Sequence, residues 1–169
     1  MYSRRSLVFV LALVGCGLVS FDVDQDIPAT TIPGSPLAAV LPAGASLFQL
    51  PLNIDINAAT QGHGTGPARS ANLKSLTLTV TVPSAAPGNN FDFLDSIAIS
   101  ISASGQSDQE IAHLSPVPKG QTTISITPDS GVDLLPYIKA GANISATASG
   151  HEPAQDTTLI GHVVVTVHV

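Results

Sequence analysis

The sequence predicts an all-β chain: an antiparallel two-sheet sandwich with one or two short helical turns. Three observations predict it. Apolar and polar residues alternate strictly over six stretches, β-branched residues fill many of the apolar positions, and Gly, Pro and Ser clusters separate the stretches. Period two marks a strand with one buried and one wet face.

The elements follow in order. Residues 19–25 form a short strand with Phe21 and Val23 inward, or else a tether. Residues 27–45 carry Pro28, Pro33, Pro36 and Pro42 and read as a linker or a long crossover, with a short turn over 37–41. Phe48, Leu50, Leu52, Ile54 and Ile56 share one strand face; Gln49, Asn53, Asp55 and Asn57 share the other. Leu76, Leu78, Val80 and Val82 alternate with Thr77, Thr79 and Thr81. Ile97, Ile99 and Ile101 alternate with Ala98, Ser100 and Ser102. A weaker strand covers 110–114. Ile124 and Ile126 alternate with Thr123, Ser125 and Thr127. Ile144, Ala146 and Ala148 alternate with Ser145, Thr147 and Ser149, and Val163, Val165 and Val167 with His162, Thr166 and His168. About eight strands with such turns read as two packed antiparallel sheets. The Cys and Trp marks of antibody domains are absent, so "immunoglobulin-like" describes architecture only.

Two interruptions read as helical turns. In 133–139, Asp133 caps, Lys139 sits at the negative end and Gly141 stops the turn. Residues 91–95 follow Pro87-Gly88-Asn89-Asn90 and read as a similar plug. Phe91, Phe93 and Tyr137 are the candidate lining of an apolar ligand pocket, should both turns close the same end of the sandwich.

The first sixteen residues have a different character. Arg4 and Arg5 precede eight apolar residues, Leu7 to Val14, and then Gly15 and Cys16. A basic start, a short apolar run and small residues are the layout of an export signal, and the run is shorter than the roughly 20 residues that span a bilayer. Leu13-Val14-Gly15-Cys16 resembles a bacterial lipobox. That resemblance implies a signal peptide over 1–15, a diacylglycerol on the Cys16 thiol and an acyl chain (palmitate or similar) on its amine. It implies no other cofactor. Two or more chains hold a protein firmly to a membrane. Gly17, where inner-membrane lipoproteins of enteric bacteria carry Asp, implies the outer membrane rather than the inner. Ser3-Arg4-Arg5-Ser6-Leu7 is also similar to a twin-arginine signal.

The organisation expected is therefore a signal peptide (1–15), an anchor strand with a Pro-rich segment (16–45), and a β-sandwich core (46–169) to which 16–45 could be integral. Residues 16–169 suit one domain. They hold 4 basic and 12 acidic residues, a net of −8. Nucleic acid is therefore not an expected partner. Trp is absent and aromatics are few, which speaks against a sugar-binding platform.

Candidate chemistry is sparse. Asp22-x-Asp24-x-Asp26 opens like a calcium loop, but Ile27 and Pro33 stand where Gly and an acid are needed. Gln61-Gly62-His63-Gly64-Thr65-Gly66 lacks the Lys-Ser/Thr of a phosphate loop. His151-Glu152 has no second His four residues on. His162 and His168 share a strand face about 20 Å apart, too far to share a metal; His113 lies in a weak strand. No Ser sits in a Gly-x-Ser-x-Gly elbow. The expectation is a non-enzymatic interaction or structural module, anchored by lipid in the bacterial cell envelope, meeting an envelope protein through exposed edge strands. The alternatives are a carrier of a small apolar ligand held between the sheets, or an enzyme whose site forms only on folding.

Overall fold

The computed structural model describes residues 20–35, 40–51, 55–62, 64, 66–81 and 89–169. Within them lie eight strands: β1 (Ser20–Ile32), β2 (Val40–Pro51), β3 (Ser70–Thr81), β4 (Leu94–Ser102), β5 (Gln109–Leu114), β6 (Thr123–Pro128), β7 (Asn143–His151) and β8 (Thr157–His168). Two short helices, α1 (Ile56–Gly62) and α2 (Leu135–Lys139), and a 3-10 turn at Phe91–Phe93 complete the described elements.

The all-β, antiparallel expectation holds. The strands are ordered β1-β8-β3-β6-β5-β4-β7-β2, and every registered pair is antiparallel. The pairings nest: β1 with β8, β2 with β7, β3 with β6, β4 with β5. A long antiparallel ribbon rolled over on itself gives this order, which is that of a jelly roll. It is not the immunoglobulin order, in which the fifth strand lies between the second and fourth. Among the described residues, the strand pairs in register that join the halves 1-8-3-6 and 5-4-7-2 are Ala112↔Pro128 and His113↔Thr127.

Alternation places the core. On β3, Leu76, Leu78 and Val80 point inward; on β4, Ile97, Ile99 and Ile101; on β8, Val163, Val165 and Val167. All are at most 3% exposed and belong to one cluster shared by both halves. Each such side chain contributes about 1.5–3 kcal/mol. A hydroxyl pair on the outer faces, Thr79–Thr123 or Ser96–Ser149, contributes about 0.5–1.5 kcal/mol. The core therefore decides the fold, and the outer pairs refine register.

Four elements depart from the sequence expectation. First, β1 runs to Ile32, through Pro28, and β2 begins at Val40, so both lie largely or partly in 16–45 and pair with β8 and β7. Pro28 is tolerated because β1 ends the strand order and its free side needs no donor; the register shifts between Ile27 and Thr30. Second, β2 stops at Pro51, and Ile56 and Asn57 belong to α1 rather than to a strand. Asp55 accepts from the Ala58 amide at 2.9 Å, a cap that starts a helix. Third, Gln61 and Gly62 end α1 instead of opening a free loop. Fourth, β3 starts at Ser70, because a register shift between Leu73 and Ser75 lets both Leu73 and Leu76 face inward. Cys16, His63, Leu52, Ile54 and Val82 lie outside the described residues.

The roll has two ends. At the near end, Ser20 and Ser70 both pair with His168, the Arg69 amide donates to the His168 carbonyl, and α2 packs beside the start of β3. At the far end, Ile32 pairs with Thr157, Thr81 with Thr158 and Leu94 with Gly150.

Candidate functional site

The two plug turns sit at opposite ends. The 3-10 turn precedes Leu94, which pairs with Gly150; α2 precedes Asn143, which pairs with Ser102. The eight steps between Leu94 and Ser102 span about 26 Å. Phe91, Phe93 and Tyr137 therefore do not frame one pocket. Phe91 and Phe93 lie with ring centroids 6.3 Å apart and are turned into the core, 0% and 3% exposed. Tyr137 is buried at the near end, where its hydroxyl donates to the Ser107 carbonyl at 2.9 Å. The expected pocket fails because each turn closes its own end of the roll.

α2 keeps Lys139 in its last turn, but it is shorter than the expected 133–139 and its N-cap residue is Leu134, which makes no side-chain bond. The Asp133 carboxylate accepts from the amides of Leu135 (3.0 Å) and Ala71 (2.9 Å), tying the turn to β3. Gly141, at φ +80, adopts the left-handed conformation that ends it. Beside it Gln109, Asp129, Gly131, Val132, Asp133 and Tyr137 line an open, polar cleft of ≈ 410 Å³.

A smaller cleft of ≈ 140 Å³ opens at the far end, lined by Asn90, Asp92, Phe93, His151, Pro153, Ala154, Gln155 and Thr157. Its polar groups are held in place. Asp92 accepts from the Gly120 amide and from Asn90 Nδ2; the Gly120 bond, then Asn90 and the nearby Lys119 and His151 charges, hold its carboxyl below the usual carboxylate range against partial desolvation. Lys119 Nζ donates to the carbonyls of Asp92 (3.1 Å) and Leu94 (3.0 Å) and to Asp95 Oδ1 (3.2 Å). His151 Nδ1 lies 2.9 Å from the Glu152 carbonyl. Sequence reading missed this Asp92–Lys119–Gly120 clasp. Its trace is the Pro118-Lys119-Gly120 turn, which carries no motif by itself.

The three β1 carboxylates point outward, as alternation requires. They do not act together. Asp22 pairs with Lys74 and accepts from Thr166 Oγ1 at 2.7 Å; these bonds, Lys74 first, hold it below the usual range. The shift in β3 at Lys74 brings that ammonium across β8 to Asp22. Asp26 meets His162 Nδ1 at 2.8 Å on the register Asp26↔His162. His113 lies 3.5 Å from Glu110, and His168 is at the near end. Among the described residues no group of three or more His, Cys, Asp or Glu is placed to hold a metal ion, and no helix is long and apolar enough to cross a membrane.

No protein-family model matches the chain, and no curated protein does. Among solved structures it is similar to the decameric BFDV capsid protein, at 7% identity and TM-score 0.42 over 89% of this chain and 99% of that one. It is also similar to the nodavirus particle of the giant freshwater prawn Macrobrachium rosenbergii, at 8% identity and TM-score 0.32 over 100% and 94%. Tomato aspermy virus follows at 9% identity and TM-score 0.28 over 97% and 81%. Superpositions this loose transfer no function to the chain.

Proposed function

We propose that this chain is a lipid-anchored, non-enzymatic interaction or structural module of the bacterial cell envelope, held in the outer membrane through Cys16. The observation that carries the reading is the start of β1. Its first residue, Ser20, is already paired with His168, and only Gly17, Leu18 and Val19 separate it from Cys16. A lipid at Cys16 would thus be joined to the folded domain with almost no slack. The two halves of the roll are read as facing sheets of a sandwich, because their buried faces share one core. The carrier alternative called for one pocket framed by Phe91, Phe93 and Tyr137, and those residues lie at opposite ends of the roll.

The test is the mass of the N-terminal peptide of the protein made in a bacterium and grown with labelled palmitate. The expected product begins at Cys16, carries the mass of a diacylglycerol and an acyl chain, and disappears in Cys16→Ser. An unmodified thiol, or cleavage elsewhere, would overturn the anchor. Turnover of a substrate that is lost on changing Asp92 and His151 together would overturn the non-enzymatic part.

A further inference from the structure

The geometry points to the near end of the roll as the surface that rests on the bilayer, with the far-end cleft held away from it. This rests on the lipid anchor proposed above and adds which surface meets the lipid.

Two observations bear on it. The first, tether length, carries it. Four steps of fully extended chain from Cys16 to Ser20 reach at most about 14 Å. The thirteen residues of β1 extend about 40 Å from that point to the far end. An anchor so short keeps the near end beside the lipid whatever the domain's tilt. The second is where the core is imperfectly covered. Eight partly buried apolar residues pack against the core cluster in the described part of the chain. Six of them, Phe21, Ala68, Ala103, Val132, Ile138 and Val169, belong to the near end.

Their placement follows from the chain. Phe21 is the second residue of β1 and pairs with Val167. Ala68 precedes Arg69, whose amide bonds His168. Ala103 follows Ser102, the partner of Asn143. The Val132 carbonyl accepts from Asn72, and Ile138 lies in α2. Part-buried apolar side chains of this kind suit a headgroup region, where they lose contact with water. The exposed large apolar residues lie elsewhere: Val40, 83% exposed, opens β2 opposite His151 at the far end, and Ile160, 39% exposed, is in the far half of β8. Tether length, not apolar area, therefore sets which end meets the lipid.

The side of the roll along β1 is a poorer seat. Asp22, Asp24 and Asp26 project from it, and bringing them against anionic phosphoglycerol headgroups sets like charges together, whereas at the near end the exposed Asp129 and Asp133 are accompanied by the exposed cations Arg69 and Lys139. The domain therefore stands on its near end, and Asn90, Asp92, His151 and Gln155 face outward.

The test uses the full lipidated chain in vesicles of phosphatidylethanolamine and phosphatidylglycerol. Cys16 has no free thiol once acylated, so a new cysteine is the one labelling site. Lys139→Cys marks the near end and Ala154→Cys the far end; both positions are exposed, so neither change disturbs the core. Energy transfer from each label to acceptors in the headgroups is compared. The expected result is transfer several-fold stronger from position 139 than from 154. Equal transfer, or stronger transfer from 154, would overturn the orientation. The lipid mass on Cys16 is read from the same samples. If it is missing, the anchor itself fails; if it is present and transfer is equal, only the orientation fails.

Discussion

Adding one methyl group at Gly161 should strain the joint between β1 and β3. Gly161 lies inside β8, paired with Ile27 on one side and Leu78 on the other, and points to the core between Leu159 and Val163. A Cβ there would stand 2.7 Å from Ile27 Cδ1, 2.9 Å from Leu78 Cδ2 and 3.0 Å from Ile27 Cβ. The Leu78 methyl can rotate away, but β-branched Ile27 is held at χ1, so its Cδ1, the nearest atom, stays crowded against the new methyl. Overpacking of this kind costs about 1–3 kcal/mol. Ile27→Val alone removes Cδ1 and should cost about 0.5–1.5 kcal/mol. If the clash is the cause, the double variant Gly161→Ala, Ile27→Val will lose less than the sum of the singles, by on the order of 1 kcal/mol. Urea unfolding followed by circular dichroism measures this; at a slope of about 2 kcal/mol per molar, the single Gly161→Ala variant should lower the midpoint by roughly 0.5–1.5 M. An unchanged midpoint, or strictly additive losses, would refute the packing argument.

Three further outcomes are expected. Asp22 and Asp92 are held below the ordinary carboxylate range by Lys74 and by the Gly120 amide respectively; a depressed folded pKa gives stability that is present above the unfolded pKa and lost as pH falls through the folded value. Thermal melts should drop on acidification below about pH 4, less steeply in Asp22→Asn, Asp92→Asn, and an identical acid slope in that variant would remove these two groups as the cause. Lys119→Met deletes three charge-assisted bonds at the far end, and because the side chain is 57% exposed the loss should be no more than about 1 kcal/mol. Its signature is faster hydrogen exchange at the Leu94 amide, which bonds Phe91, with protection at Val165 unchanged; uniform loss would argue against a local clasp. Gly150→Ala should be far more damaging, because φ is +144 and a Cβ would lie 2.2 Å from the Phe93 carbonyl oxygen; a loss of at least about 2 kcal/mol is expected, and a midpoint equal to wild type would contradict the close approach of β7 to β4 at Gly150.

Most strands were legible because they obey period two with one wet face. Thr77, Thr79 and Thr81 against Leu76, Leu78 and Val80 permit no other element. The losses have local causes. The alternation of Ile54, Asp55, Ile56 and Asn57 imitates a strand, but Asp55 caps Ala58 and the Ala58-Ala59-Thr60-Gln61 run continues as helix. Pro28 hides the second half of β1, since its tolerance depends on β1 being an edge, a fact of topology. The pocket expectation joined Phe91, Phe93 and Tyr137 because both turns looked alike; only the register of β4 with β7 separates them. The clasp at Asp92 was invisible for the same reason, since its partners lie 27 and 28 residues away.

The strand order also bears on how a protein partner could bind. Among the described strands β1 and β2 end the order, so a partner strand could add there. Both carry features that oppose addition. β1 has Asp22, Asp24 and Asp26 and then Pro28. Two copies meeting antiparallel along it would set carboxylate against carboxylate. β2 contains Pro42 and Pro51 and two register shifts, between Leu41 and Ala45 and between Ser46 and Phe48, which break the straight row of donors and acceptors that a partner strand needs. These features oppose the edge-strand route expected from the sequence. If the near end rests on lipid, the surface left to a protein partner is the far end, where Lys119 and Gly120 hold the Asp92 loop in place. A cross-linker carried at position 154 should then capture an envelope protein that one carried at Asp24 does not, and equal capture from both positions would return the edge strand to consideration.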